Sequence, residues 1–174
     1  MNPSLINKAQ SAERFMREAL KQAEMALSKN EVPVGAVITF ENKIIAKAFN
    51  QVESLNDPTA HAEMIAITQA THTLGHKWLS ESHMYVTLEP CSMCAGALVL
   101  ARMKNIYIGA ADSKTGACGS VLNIIDHVKL NHRVSVHQGL LADECVLMLS
   151  NFFKKKRLDQ KDNAKYKDFL INPN

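Results

Sequence analysis

Cys91 and Cys94 stand three residues apart, directly after Glu89-Pro90, where a β-rich run gives way to a helical one. On a single helical turn, positions i and i+3 put both sulfurs on one face, close enough to share an ion. Exposed N–H groups and the positive end of a helix lower a thiol pKa, so both cysteines are available there as thiolates. Two thiolates leave a tetrahedral ion incomplete, so the chain must fold to bring a further ligand from elsewhere. His61, in His61-Ala62-Glu63 at the start of another helical segment, is the candidate, with 27 residues between Glu63 and Cys91.

Three protein ligands leave a fourth position for water, which is the catalytic pattern, whereas a structural site adds a fourth Cys or His at short spacing. Cys118 and Cys145 are lone cysteines, read as buried or incidental. His72, His76, His83, His127, His132 and His137 have no ligand spacing. The expected metal is therefore a zinc ion on His61, Cys91 and Cys94. Glu63, two residues from a ligand, is expected beside the water as proton carrier.

The surrounding patterns alternate between strands and helices. Ser11 to Asn30 reads as an opening helix with Ser11 as N-cap, its apolar face made by Met16, Ala19, Leu20, Ala23 and Leu27. Gly35 to Phe40 and Lys43 to Phe49 read as a hairpin across Glu41-Asn42. Asp57-Pro58-Thr59 signals a turn before a helix over 60–71, and 83–88 reads as a strand. A helix over 91–103, strands over 105–110 and 133–138, and a last helix from Ala142 to about Arg157 complete the order. This order implies a three-layer α/β/α sandwich around a central mixed sheet of about five strands, in a single domain over 1–174 with a possible tail from 158. The loop over 111–131 is long enough to be functional. Residues 94–101 have no polar face, so their outer side meets either a second subunit or the opening or final helix of the same chain.

Composition excludes several classes. No apolar run approaches the roughly 18 residues of a membrane span, and residues 1–10 lack the pattern of a signal peptide. Four cysteines are too few for a disulfide-stapled secreted scaffold, so a cytoplasmic location is expected. The net charge of +3 is uneven: from residue 152 onward seven Lys or Arg face three Asp, a balance of +4. That points to an anionic partner near the C-terminus, although a solvated helix end has the same pattern.

His-x-Glu followed by Pro-Cys-x-x-Cys is the established signature of zinc deaminases. Val32-Pro33-Val34-Gly35-Ala36-Val37, Asn50, Asp57 to Glu63, Val86 to Ala97, Gly109-Ala110 with Asp112, Lys114-Thr115-Gly116 and Asn131-His132-Arg133-Val134 extend the match. Over roughly residues 12–157 the chain resembles the bacterial tRNA-specific adenosine deaminases. The resemblance implies a cytidine-deaminase-like fold, a homodimer, one zinc per subunit and hydrolysis of adenosine to inosine at the wobble position of a tRNA anticodon stem-loop. It further implies that Asn50 hydrogen-bonds the purine and that Asp112 and Asn131 touch the target nucleotide or its neighbour. Lys114, Phe153 and Arg157, with the rest of the Phe152–Arg157 run, are implied at flanking nucleotides. Of the adjacent Phe152 and Phe153, one is expected to stack a base and the other to pack in the core. Two alternatives share the zinc core: a deaminase of a free base or nucleoside of guanine or cytosine type, and a non-catalytic zinc module that binds RNA.

Overall fold

The central strands are apolar on both sides because helices cover both faces of the sheet they form. In the computed structural model, which describes residues 3–171 and side chains from 10 to 161, β1 (Gly35–Phe40) and β2 (Lys43–Phe49) form the expected hairpin. Its turn residues Glu41 and Asn42 both have positive φ (49° and 59°), as a two-residue turn matched to strand twist requires. β3 (Ser82–Leu88) pairs antiparallel with β1, then β4 (Asn105–Ala110) and β5 (Ser135–Gln138) continue in parallel. The sheet order is β2-β1-β3-β4-β5, a mixed five-stranded sheet as expected.

Alternate residues of each strand feed two cores. Ile38, Met84, Val86 and Ile106 face α3 (Ala62–Leu74) and α4 (Ser92–Leu100) on one side. Val37 and Tyr85 face α1 (Pro3–Ser28) and α5 (Ala142–Ile171) on the other. The sandwich is therefore three-layered. At Gly35 a Cβ would lie 2.0 Å from the Ala19 carbonyl oxygen, so only glycine lets α1 pack this closely on β1.

Several boundaries differ from the sequence pattern. α1 begins at Pro3, so Ser11 lies inside the helix instead of capping it; nothing between Pro3 and Ser11 breaks a helix, and proline suits the first turn. α5 continues past Arg157 to Ile171, because neither Gly nor Pro occurs between Gly139 and Pro173. A short α2 (Val52–Leu55) appears where no helix was expected. Neither α1 nor α5 covers the outer side of α4, since both pack on the opposite face of the sheet. Leu100 on α4 is 81% exposed. No helix among the described residues is long and apolar enough to cross a membrane.

Candidate active site

The two helices beneath the sheet begin at the same end of the molecule. Cys91 immediately precedes α4 (φ −70°, ψ 176°), and His61 holds the same place before α3 (φ −70°, ψ 151°). Both are N-cap positions, where a Ser or Asp side chain would normally bond the first N–H groups. Neither side chain makes such a bond, so thiol and imidazole are left to meet each other. Before His61, the Asp57 carboxylate accepts the Thr59 N–H and hydroxyl at 2.8 and 2.7 Å, fixing the turn that launches α3.

His61 Nδ1 lies 3.8 Å from Cys91 Sγ and 3.6 Å from Cys94 Sγ. All three donor atoms fall within 4.8 Å of one another. A tetrahedral zinc with its usual bond lengths spaces such atoms about 3.5–3.8 Å apart. The His/Cys/Cys set thus fits one tetrahedral ion, and no other such group occurs among the described residues. Hydrogen bonds from Cys94 and His61 hold the Cys91 thiol down at about 3. Cys94, which donates to that thiolate and is buried, is pushed up, as expected of a pair sharing one proton. The His61 imidazole is raised by its hydrogen bond to Cys91.

Glu63, on the first turn of α3, is 4% exposed, and burial raises its carboxyl above the usual range. Asn50 and Asp112 line the same cavity of about 260 Å³ as His61, Glu63 and Cys91. Asp112 spends much of its carboxylate on its own loop, accepting the Lys114 and Thr115 N–H groups and the Thr115 hydroxyl.

A second cavity of about 570 Å³ adjoins the first, sharing Leu88, Asp112 and Thr115. Lys114, Phe153, Lys156 and Arg157 line it, bringing α5 beside the long loop. Phe152 is buried at 7% and Phe153 is 46% exposed, so one aromatic packs and the other faces outward. Asn131 lines neither cavity; it is exposed on the stretch next to His132, whose ring bonds the Met103 carbonyl.

Two buried carboxylates that the sequence reading gave no role frame the first cavity. Glu89 (2% exposed) accepts N–H groups of Asp112, Cys118 and Ser120 and the Ser120 hydroxyl, so it holds the long loop from inside. Burial pushes its carboxyl up, but these hydrogen bonds outweigh burial and leave it below the usual range. At Gly116 a Cβ would come within 2.5 Å of the Glu89 carboxylate carbon, so glycine is needed where the loop crosses it. Glu31, fully buried, binds residues 50–54 in the same manner. The available signal was an acidic residue beside apolar runs, too common a pattern to single either out.

Helix starts that gather one histidine and two cysteines over a buried glutamate, at one end of a mixed five-stranded sheet, define a deaminase of the cytidine-deaminase-like class. Known proteins narrow this class. The MafB19-like deaminase family matches residues 10–157. The tRNA-specific adenosine deaminase of Aquifex aeolicus is 51% identical over 145 residues, covering 83% of this chain and 95% of that protein. Its Bacillus subtilis counterpart is 44% identical, covering 86% and 92%. The chain belongs to the bacterial tRNA-specific adenosine deaminase family. A structure from work on A-to-I editing by tRNA:A34 deaminases superposes with a TM-score of 0.76 at 40% identity, covering 78% of this chain and 99% of that one. A guanine deaminase from Nitrosomonas europaea, 21% identical with a TM-score of 0.70 over 87% of this chain and 93% of its own, shares the fold.

Proposed function

We propose that the protein converts adenosine to inosine at the wobble position of a tRNA anticodon, with zinc on His61, Cys91 and Cys94 and with Glu63 carrying protons. The observation that supports the chemistry is the open three-donor site with Glu63 buried beside it. Adenosine in tRNA, rather than another base, rests on the 51% identity to a tRNA-specific adenosine deaminase. The fold alone is shared with a guanine deaminase.

Anticodon bases are already unpaired, so splaying the adenine into the 260 Å³ cavity costs little. When bound, zinc supplies water activation, lowering a water pKa to roughly 7. Glu63 takes the proton of the attacking water and delivers it to N1 as oxygen adds to C6. Glu63 then takes the proton of the new C6 hydroxyl and passes it to the exocyclic amine as the C6–N6 bond breaks, and ammonia leaves. Adenosine and water become inosine and ammonia. Asn50 holds the purine, with Asp112 at the cavity wall. Lys114, Phe153 and Arg157, in the adjoining groove, meet flanking nucleotides through stacking and phosphate contacts.

The protein acts in this reading as a cytoplasmic homodimer built of single-domain subunits. The apolar α4, uncovered by α1 or α5 and ending in exposed Leu100, supports a subunit contact there. Asn131 lies outside both cavities of its own chain, so its assignment to the target nucleotide rests on resemblance alone.

Incubation with an anticodon stem-loop carrying adenosine at the wobble position, followed by mass spectrometry of the nucleosides, tests the function. Inosine is expected, with no turnover of free guanine or cytidine. Turnover of a free base with an untouched stem-loop would overturn the assignment. A zinc-loaded protein silent on every substrate would favour an RNA-binding module.

A further inference from the structure

We propose that Glu31 is a positioning residue for base recognition, which it serves by fixing the direction of the Asn50 amide; this rests on the reading that Asn50 meets the purine. Glu31 follows the end of α1, its N–H bonded to the Ala26 carbonyl at 3.0 Å, and its side chain is wholly removed from solvent. Oε1 accepts the Ser54 N–H at 2.6 Å and the Ser54 hydroxyl at 2.7 Å. Oε2 accepts the Glu53 N–H and one Asn50 Nδ2–H, both at 3.2 Å. All four donors belong to residues 50–54, the stretch that contributes Asn50, Val52 and Glu53 to the wall of the catalytic cavity.

A carboxylate can only accept. The Asn50 amide must therefore turn its NH2 toward Glu31, which leaves its carbonyl oxygen and one N–H for the cavity. An Asn amide pairs with adenine by giving a hydrogen to N7 and accepting one from N6, whereas guanine presents two acceptors on that edge. With one N–H committed to Glu31, the remaining pair matches adenine. A rotating amide would match neither base selectively. The backbone around Asn50 is held as well, through Asn50 N–H to the Val34 carbonyl and Gln51 N–H to the Ala60 carbonyl, both at 3.0 Å. The side-chain amide is the degree of freedom that remains, and Glu31 removes it.

Glu31→Gln keeps the shape and separates the roles. The glutamine oxygen is expected to stay with the shorter Ser54 bonds, so its NH2 faces the Glu53 N–H, which loses an acceptor, and the Asn50 NH2, which turns over. The KM for an anticodon stem-loop should then rise about tenfold, the scale of one polar group left without its partner, with kcat little changed. In an Asn50→Ala background the same substitution should add less than twofold, because the group it orients is gone. Losses that multiply across the two variants, or a KM equal to that of the wild type, would overturn the proposal. The Asn50 side-chain amide resonance, recorded by 15N NMR without RNA, should shift in E31Q; an unchanged resonance overturns the tether. That measurement stands even if the stem-loop proves not to be the substrate. Should E31Q fail to fold, Glu31→Asp, one methylene short of Asn50, carries the same comparison.

Discussion

His61 Nδ1 lies 3.6 Å from Cys94 Sγ across 33 residues of chain. The contact exists because α3 and α4 pack side by side under the sheet and begin at the same end of it. Removing a thiolate from this set should remove the metal. Wild-type protein is expected to carry about one zinc per chain, and Cys91→Ser less than a tenth of that by atomic emission after dialysis. A chelator should abolish turnover and added zinc restore it. Full zinc occupancy in the Cys91 variant would refute the ligand assignment.

Glu63 lines the same cavity as His61 and Cys91, and in the proposed reaction it carries protons without binding the metal. Glu63→Gln should therefore retain zinc and lose about 10²–10⁴-fold in kcat, the range of general acid–base catalysis. Burial raises the Glu63 carboxyl, so a neutral isostere of the same size should fold normally. Single-turnover kinetics with a metal assay on the same sample decide the point. Turnover within threefold of wild type would show that another group moves the protons.

Much of this arrangement could be read from residue order alone. The candidate donor positions could be picked out because Cys91, Cys94 and His61 stand next to helix-start punctuation, and the hairpin was set by Glu41-Asn42 between apolar runs. Helix ends were harder. Pro3 and Ser11 both start helices well, and with no Gly or Pro between them local pattern does not choose one over the other. The roles of Glu31 and Glu89 could not be read at all, since each binds backbone groups that lie 22 to 31 residues away. A carboxylate's partners are a tertiary property, invisible to local pattern.

Glu89 ties the loop that carries Asp112, Cys118 and Ser120. Its folded pKa is depressed, so its contribution to stability is full above the ordinary value of 4.5 and is lost as pH falls below it toward the folded value. Glu89→Gln leaves buried N–H groups without their acceptor and should cost about 1–3 kcal/mol at pH 7. Urea unfolding from pH 7 to 3 should show wild type and variant converging on the acid side. A constant gap over that range would mean that ionised Glu89 is not what holds the loop.

The adjacent phenylalanines of α5 should separate stability from binding. Phe152 is buried, so Phe152→Ala should cost about 3 kcal/mol of stability. Phe153 is 46% exposed in the groove beside Lys114 and Arg157. Phe153→Ala should leave melting within a degree or two and weaken stem-loop binding by about 1–3 kcal/mol, the worth of one stacked base. Equal melting losses from the two substitutions, with stem-loop binding unchanged by Phe153→Ala, would mean that Phe153 packs instead of stacking a base.

If Arg157 touches a phosphate, it does so by charge, and charge contacts declare themselves through salt. Arg157 and Lys156 line the groove next to the catalytic cavity, on a helix whose basic run accounts for the positive excess of the chain. Each phosphate of a single strand that a Lys or Arg neutralises releases counterions and adds about 0.7 to the steepness of log K against log salt. Arg157→Ala should lower that slope by about that amount while leaving kcat at saturating RNA unchanged, because the residue lies outside the cavity lined by His61, Glu63 and Cys91. A solvated arginine gives the other result: affinity and slope both match wild type from 50 to 200 mM salt. Fluorescence anisotropy with a labelled stem-loop at four salt concentrations separates the two, and it does so without relying on turnover.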